Sequence, residues 1–321
     1  MLLFVAGCST NAHLKSTASH YTLMTGGELP ELQKGLTVKH VELHFDVFPK
    51  KKTIVGKTKF TFKSIKPIST MSLDLYTAFK IKEVKFNQQV LSKDDYQNLV
   101  GELVIQLPEE VIGQFNLEIH YEGKPYVALT PPWDGGFVWS KTSEGHDWIA
   151  TAVQGGGCDL FWACIDNPLV EPEAADIYFT VDKSLVAASN GLLPSVSESN
   201  GRKTYHWRSL NSINNYAISV NIGPYQLLTD TYQSHFGNAL DLVYYHIPRT
   251  DSKDRQLFSE IPAMLDFFEQ MIGPYPFGNE KVGVVDTPYL GMEHQTINGY
   301  GNGFKKNGYG FDTILQHEFA H

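Results

Sequence analysis

Hydrophobic and polar residues alternate with a period of two over residues 36–225. In the first such stretch, Val41, Leu43, Phe45 and Val47 alternate with polar neighbours, so one face of an extended chain is apolar. The same alternation recurs at 58–62, 103–107, 115–121, 177–181, 205–207 and 216–220. Turn residues separate these stretches, namely Pro49, Gly101, Gly113, Asn190-Gly191 and Asn200-Gly201. Many short strands divided in this way predict an antiparallel sandwich or saddle.

The pattern changes after about residue 227. Between Asp254 and Ile272 apolar residues recur at helical spacing, and Gly273-Pro274 is expected to end this helix. Pro262 should either kink the helix or mark its first turn. A strand over 281–286 and a second extended segment over 293–297 are predicted next. The last element is a helix with Asp312 or Thr313 as its N-cap.

Composition narrows the function classes. The chain has 321 residues, of which 42% are hydrophobic, and a net charge of −9. The longest basic run is Lys50-Lys51-Lys52, so this is an ordinary folded protein for which a nucleic-acid partner is not expected. Cys158 and Cys164 can either pair in an oxidising compartment or remain as buried thiols.

The last five residues, His317-Glu318-Phe319-Ala320-His321, form the pattern H-E-x-x-H. Residues four apart lie on one face of a helix, so both His side chains can ligate one zinc ion. Glu318 is then close enough to polarise a water molecule on that ion. A zinc site needs at least three protein ligands, and the third is expected beyond residue 321.

Several segments together resemble the aminopeptidase N family of zinc metallopeptidases, also called the gluzincin aminopeptidases. Gly291-Met292-Glu293-His294 resembles the family's G-x-M-E-N motif, with His294 where Asn is usual. Its spacing to the H-E-x-x-H motif also suits the family. Residues 273–277, 161–168 and 214–223 are similar to further, less specific segments of the family.

The resemblance implies a residue-by-residue assignment of the site. One Zn²⁺ would be held by His317 and His321, with Glu318 as the catalytic general base. Glu293 would bind the free α-amino group of a peptide, with Gly291 and Met292 as further substrate-binding residues. Gln154 would shape the first substrate pocket. A Glu as third ligand and a Tyr that stabilises the oxyanion are implied beyond residue 321.

The implied fold is of mixed class. A lipoprotein signal and tether (1–35) is followed by an all-β saddle or sandwich domain (36–226), and then by the first part of an α/β thermolysin-like catalytic domain (227–321). The expected function is that of a zinc aminopeptidase acting on peptides with a free N-terminus, of which this chain is an inactive fragment. One alternative is a zinc endopeptidase. The other is a surface lipoprotein whose β-domain binds peptides or partners without catalysis.

The N-terminus predicts a cell-envelope location. Val5-Ala6-Gly7-Cys8 ends a short apolar run and resembles the lipobox of bacterial lipoproteins, and residues 9–19 are small and polar like a tether. No later segment approaches the ~18 apolar residues of a membrane span. Membrane attachment is therefore expected through a lipid anchor only, with the protein facing the periplasm.

Lipidation of Cys8 is directly testable. We expect the mature natural protein to begin at Cys8 and to carry diacylglycerol on its sulfur, because the residues before it match the cleavage pattern of lipoproteins. Mass spectrometry of the mature N-terminus measures this. Recovery of an unmodified Met1 or of an intact Leu2-Leu3 sequence would rule the prediction out.

Overall fold

The computed structural model describes residues 25–321, which form eighteen β-strands and three α-helices. The prediction for Cys8 lies outside these residues. The strands are β1 (Leu36–Phe48), β2 (Thr53–Asp74), β3 (Lys80–Phe86), β4 (Gln89–Val90), β5 (Tyr96–Leu99), β6 (Glu102–Gly123), β7 (Gly136–Lys141), β8 (Asp147–Ala152), β9 (Ala175–Asp182), β10 (Val186–Ala188), β11 (Leu192–Ser199), β12 (Arg202–Ser209), β13 (Asn221–Gly223), β14 (Gln226–Gln233), β15 (Ala239–His246), β16 (Val282–Asp286), β17 (Gly291–Met292) and β18 (Asn298–Tyr300). The helices are α1 (Lys253–Phe258), α2 (Ile261–Met271) and α3 (Thr313–Ala320). None of these helices is long and apolar enough to span a membrane.

Three sheets organise the described chain. The first has nine strands in the order β11-β12-β9-β1-β2-β6-β3-β4, with β5 paired to β6. The second has four, in the order β10-β13-β8-β7. The third has five, in the order β14-β15-β16-β18-β17. Strands β16 and β15 are parallel, and α1 and α2 lie between them in the chain. The prediction of an all-β part followed by a mixed α/β part is confirmed.

The first two sheets share one apolar core. Along β1, buried residues alternate with partly exposed ones, and Val41, Leu43 and Phe45 are almost fully enclosed. Phe137 and Ile149, from the second sheet, belong to the same buried cluster. Trp162, in the loop after β8, fills the core near Phe60 with ring centroids 6.3 Å apart. The period-two alternation thus builds a sandwich, because each sheet has one face to cover.

Three predicted details of this part are wrong. The stretches 103–107 and 115–121 belong to one strand, β6, because Gly113 takes a positive φ within the strand instead of ending it. Residues 216–220 do not form a strand, since Asn215–Ala217 is a 3-10 turn and β13 begins later. Strand β1 pairs with β9 in parallel, so the first sheet is mixed and not purely antiparallel.

The second part follows its predicted elements with two exceptions. The single helix predicted over 254–272 is divided into α1 and α2, which are separated by Ser259 and Glu260. Pro262 lies in the first turn of α2, one of its two predicted positions, and α2 ends at Met271 just before Gly273-Pro274. Asp312 is the N-cap of α3, because its carboxylate accepts hydrogen bonds from the backbone N–H groups of Ile314 and Leu315. The other exception is the segment 293–297, which the sequence predicts to be extended. It is a turn that joins β17 to β18.

A disulfide, one buried and two half-buried carboxyl groups hold the segment that follows β8. Cys158 and Cys164 form a disulfide, which decides between the two states left open by the sequence. The carboxylate of Asp74 accepts hydrogen bonds from Gln33 Nε2 and from the backbone N–H of Asp166, both at 2.9 Å. Burial raises the pKa of Asp74 to about 7, and it also raises the pKa values of Asp159 and Asp166. Folding therefore favours the protonated forms of these carboxyl groups.

Folding stability should depend on pH through Asp74. Its pKa is near 7 in the fold and about 3.9 in an unfolded chain. Its stabilising contribution is therefore complete below about pH 4 and is lost as the pH rises through 7. We expect Asp74→Asn to reduce the loss of unfolding free energy between about pH 4 and 7, measured by urea denaturation across that range. Asp241→Asn, at an exposed position, is the control and should keep the original pH dependence, and an equal slope in Asp74→Asn would contradict the assignment.

Candidate active site

Helix α3 presents two histidines on one exposed face. Its first turn is fixed by Asp312, whose carboxylate also accepts a hydrogen bond from Tyr300 OH at 2.6 Å. Leu315 is buried against the third sheet and its helices. This packing turns His317 and His321 toward solvent, where their Nε2 atoms lie 3.3 Å apart. The two rings are set edge to face, with centroids 4.8 Å apart.

The histidine pair fits a zinc ion. Zinc–nitrogen bonds of about 2.0–2.1 Å in a tetrahedron place two ligand nitrogens about 3.3–3.4 Å apart. The observed Nε2–Nε2 separation of 3.3 Å is that distance. Within residues 25–321, two groups of three ligand-type side chains lie close together, and neither includes His317 or His321. A third ligand therefore stays a prediction.

Glu318 lies directly against the backbone of β17. A Cβ atom at Gly291 would stand 2.1 Å from Glu318 Oε1, so only glycine allows this approach. Glu318 is buried, although both histidines beside it are exposed. Burial, and next the negative charge of Glu293, raise the pKa of Glu318 to about 8. This glutamate consequently favours its protonated form near neutral pH unless a positive charge is placed beside it.

Glu293 stands at the start of the turn between β17 and β18 and accepts two hydrogen bonds on one oxygen. Gln154 Nε2 donates to Glu293 Oε1 at 2.6 Å, and Tyr216 OH donates to the same atom at 2.9 Å. Burial and the charge of Glu293 raise the pKa of Tyr216, so its hydroxyl remains a donor. Both partners donate to the same oxygen, so Glu293 Oε1 is held between Gln154 and Tyr216.

One cleft of about 430 Å³ connects these groups. Its polar lining includes Gln154, Glu293, Glu318 and His321. The segment 272–277, which follows α2, contributes a continuous part of the apolar lining. The cleft thus combines an apolar surface with His321 and with the carboxylate of Glu293, which already accepts two hydrogen bonds. This composition is typical of a small-molecule or peptide site.

The remaining predicted site residues lie behind the cleft. Gly291 and Met292 are buried and do not belong to its lining, and Met292 packs against Tyr289. His294 is fully buried, and neither ring nitrogen has a hydrogen-bond partner among residues 25–321. Burial lowers the pKa of His294 to about 4, so its ring is neutral. Contact of Gly291 and Met292 with a substrate remains a prediction.

Tyr216 is a site residue that the sequence did not reveal as one. The alternation around it predicts a strand, yet it belongs to the 3-10 turn 215–217. Its hydroxyl reaches a carboxylate 77 positions away in the chain. The only available signal was its place in a segment similar to the aminopeptidase N family, which assigned it no role.

The chain belongs to the M1 family of peptidases. Residues 37–216, more than half of the chain, match the family model described as the Peptidase M1 N-terminal domain. This confirms the resemblance to the aminopeptidase N family. Comparison with curated protein sequences gives no match.

Solved M1 structures share the fold. An M1 zinc metallopeptidase from Deinococcus radiodurans aligns with a TM-score of 0.74 at 22% identity, covering 91% of this chain and 65% of the other. A mutant of it bound to a Tyr-Ser-Ala substrate aligns with a TM-score of 0.75 at the same identity and coverage. Aminopeptidase A from Legionella pneumophila, in complex with aspartic acid, gives 0.70 at 17% identity, covering 84% and 31%. The chain thus spans just under two thirds of the Deinococcus proteins.

The pKa of Glu318 should depend on Glu293. Glu293→Gln removes the negative charge that disfavours ionisation of Glu318, so the pKa should fall below about 8. It should stay above the ordinary value, because burial is the larger cause. Carboxyl ¹³C NMR titration of the metal-free protein measures this shift.

The exposed Glu144 provides a matched control. Glu144→Gln should leave the titration of Glu318 unchanged. A Glu318 titration that is the same in Glu293→Gln as in the original protein would show that the two carboxylates do not interact.

Proposed function

We propose that the protein is a zinc-dependent aminopeptidase that releases N-terminal residues from peptides. The observation that carries this proposal is Glu293, whose carboxylate is held by Gln154 and Tyr216 in the same cleft as Glu318 and His321. The M1 family membership supports a peptidase role. The substrate class is a peptide with a free N-terminus.

Glu293 is suited to bind an ammonium group. Its Oε1 is used by two neutral donors, whereas no hydrogen bond to Oε2 occurs among the described residues. An α-ammonium group can therefore donate to Oε2 without displacing Gln154 or Tyr216. A charge-assisted hydrogen bond of this kind is stronger than a neutral one. We call Glu293 the amine anchor.

Glu318 is suited to act as the base. His317 and His321 would hold the zinc ion, which would polarise the scissile carbonyl and a water molecule. The positive charge would favour the ionised form of Glu318, which otherwise retains its proton near neutral pH. Glu318 would then accept a proton from water and transfer it to the leaving amine. Because the amine anchor would hold the N-terminus of the peptide close to this base, cleavage would be restricted to the chain end.

Two substitutions test the proposal on the natural protein. Glu318→Gln should lower turnover by about 10²–10⁴-fold, because it removes the base while preserving side-chain size. Glu293→Gln should instead raise KM for peptides with a free N-terminus, because the charged partner of the ammonium group is lost. Release of the first residue from a tripeptide and from its N-acetyl form is measured by chromatography.

The outcomes separate the alternatives. An aminopeptidase leaves the N-acetyl peptide intact, whereas a zinc endopeptidase cleaves blocked and free peptides alike. Full activity in Glu318→Gln would refute the proposed base. Tight peptide binding without cleavage by the natural zinc-loaded protein would favour a surface protein with a non-catalytic β-domain. Glu144→Gln, at an exposed site, should behave as the original protein.

We also propose that the protein is a lipoprotein of the bacterial cell envelope, anchored through Cys8 and facing the periplasm. The lipobox-like sequence before Cys8 supports this location. The Cys158–Cys164 disulfide does so as well, because such bonds persist in oxidising compartments.

A further inference from the structure

The turn between β10 and β11, in the β-sandwich, contacts the turn that carries Glu293. At its centre is Asn190, whose side chain is fully buried. Its Nδ2 donates to the carbonyl oxygen of Gln295 at 2.6 Å and to that of Ala217 at 2.8 Å. Its Oδ1 accepts from the backbone N–H of Ser219 at 2.9 Å. Both ends of the side-chain amide are thus used, and they join the turn of Asn190 to the segment 217–219 and to Gln295.

The two carbonyl groups that accept from Asn190 belong to residues close to Glu293 and Tyr216, whose side chains form a hydrogen bond. Gln295 lies two residues after Glu293, and Ala217 immediately follows Tyr216. The hydroxyl of Tyr216 donates to Glu293 Oε1 at 2.9 Å. One NH₂ group therefore joins the backbones on both sides of this hydrogen bond. Any movement of one turn relative to the other would have to break a bond to Asn190.

The turn that carries Glu293 has an unfavourable backbone conformation. Thr296 is buried and has a φ of 63°, a region that β-branched residues rarely occupy. Its hydroxyl accepts a hydrogen bond from the backbone N–H of Gly191 at 2.8 Å. Such a conformation persists only where the surroundings hold it. The holding contacts come from the turn that contains Asn190.

We propose that Asn190 is a positioning residue for the amine anchor. By tying Gln295 to Ala217, it fixes Glu293 against Tyr216 and keeps Glu293 Oε2 directed to the ammonium group of the substrate. The proposal rests on the proposed function, since it gives the β-sandwich a part in recognising the N-terminus. Asn190 itself is not among the residues that line the cleft.

The test separates the two halves of the Asn190 amide. Asn190→Asp retains an oxygen that can accept from Ser219 but loses the donor to Gln295 and Ala217. We expect it to weaken the binding of L-alanine amide to the natural, zinc-loaded protein by about tenfold, the size expected for one well-placed hydrogen bond to a charged group. Binding of N-acetyl-L-alanine amide should not change, because that ligand has no ammonium group. Titration calorimetry measures both.

Asn221 provides the matched control. It is also a fully buried asparagine, and within the described part of the chain its Nδ2 donates only to the carbonyl oxygen of Ala188 and to Ser219 Oγ. Asn221→Asp should leave the ratio of the two affinities unchanged. If the two asparagines only stabilised the fold, each variant would weaken the binding of both ligands by the same factor.

A second variant covers the case in which Asn190→Asp does not fold. Thr296→Gly removes the unfavourable side chain at positive φ and the acceptor for Gly191, so it should loosen the turn without unfolding the protein. It should weaken binding of the amine by a similar factor, whereas Thr296→Ser, which keeps the hydroxyl, should restore binding.

The two proposals fail in different ways. If the original protein does not prefer the amine to its N-acetyl form, the proposed function is wrong. If it does prefer the amine, and Asn190→Asp retains that preference, the positioning role of Asn190 is wrong; where Asn190→Asp does not fold, retention of the preference by Thr296→Gly has the same meaning.

Discussion

The site depends on a hydrogen bond that crosses from the β-sandwich to the third sheet. Glu293 comes from the turn between β17 and β18, whereas its donors Gln154 and Tyr216 come from loops of the sandwich, 139 and 77 positions away in the chain. The carboxylate can be held by both donors only if the two parts keep a fixed relative position. The rigidity of their contact is therefore a requirement of the site, besides a source of stability.

That contact contains buried polar groups as well as apolar ones. Val285 and Ile297, from the second part, belong to the same buried cluster as the sandwich core. Lys281 Nζ donates to the carbonyl oxygen of Ser189 at 2.9 Å and lies 4.7 Å from the centroid of the Trp207 ring. Glu280 accepts from the backbone N–H of Leu210 at 2.7 Å. Buried charged groups need such partners, and their geometry selects one arrangement of the two parts.

Sequence reasoning succeeded where the signal is local. Alternation in β1 and the helical spacing of α2 follow from burial of one face, and the H-E-x-x-H spacing alone places His317 beside His321. It failed where distant contacts decide the conformation. Gly113 usually signals a turn, but pairing with β2 carries β6 through it. Thr296 gives no turn signal, because its positive φ is held by Gly191, 105 positions away. Tyr216 and Asn190 also contact partners far away in the chain, 77 and 105 positions respectively, so no local pattern could identify them.

The close approach of Gly291 to Glu318 limits how this sequence can vary. Every single-base change in a glycine codon that alters the amino acid introduces a residue with a Cβ atom. At position 291 that atom would stand 2.1 Å from Glu318 Oε1, whereas at Gly308 it would meet nothing within 4 Å. Every single-step change at position 291 would therefore displace the carboxyl group of Glu318 from its observed position. During evolution, Gly308 can be replaced without displacing a neighbouring atom, whereas a replacement of Gly291 can persist only with a rearranged Glu318 side chain.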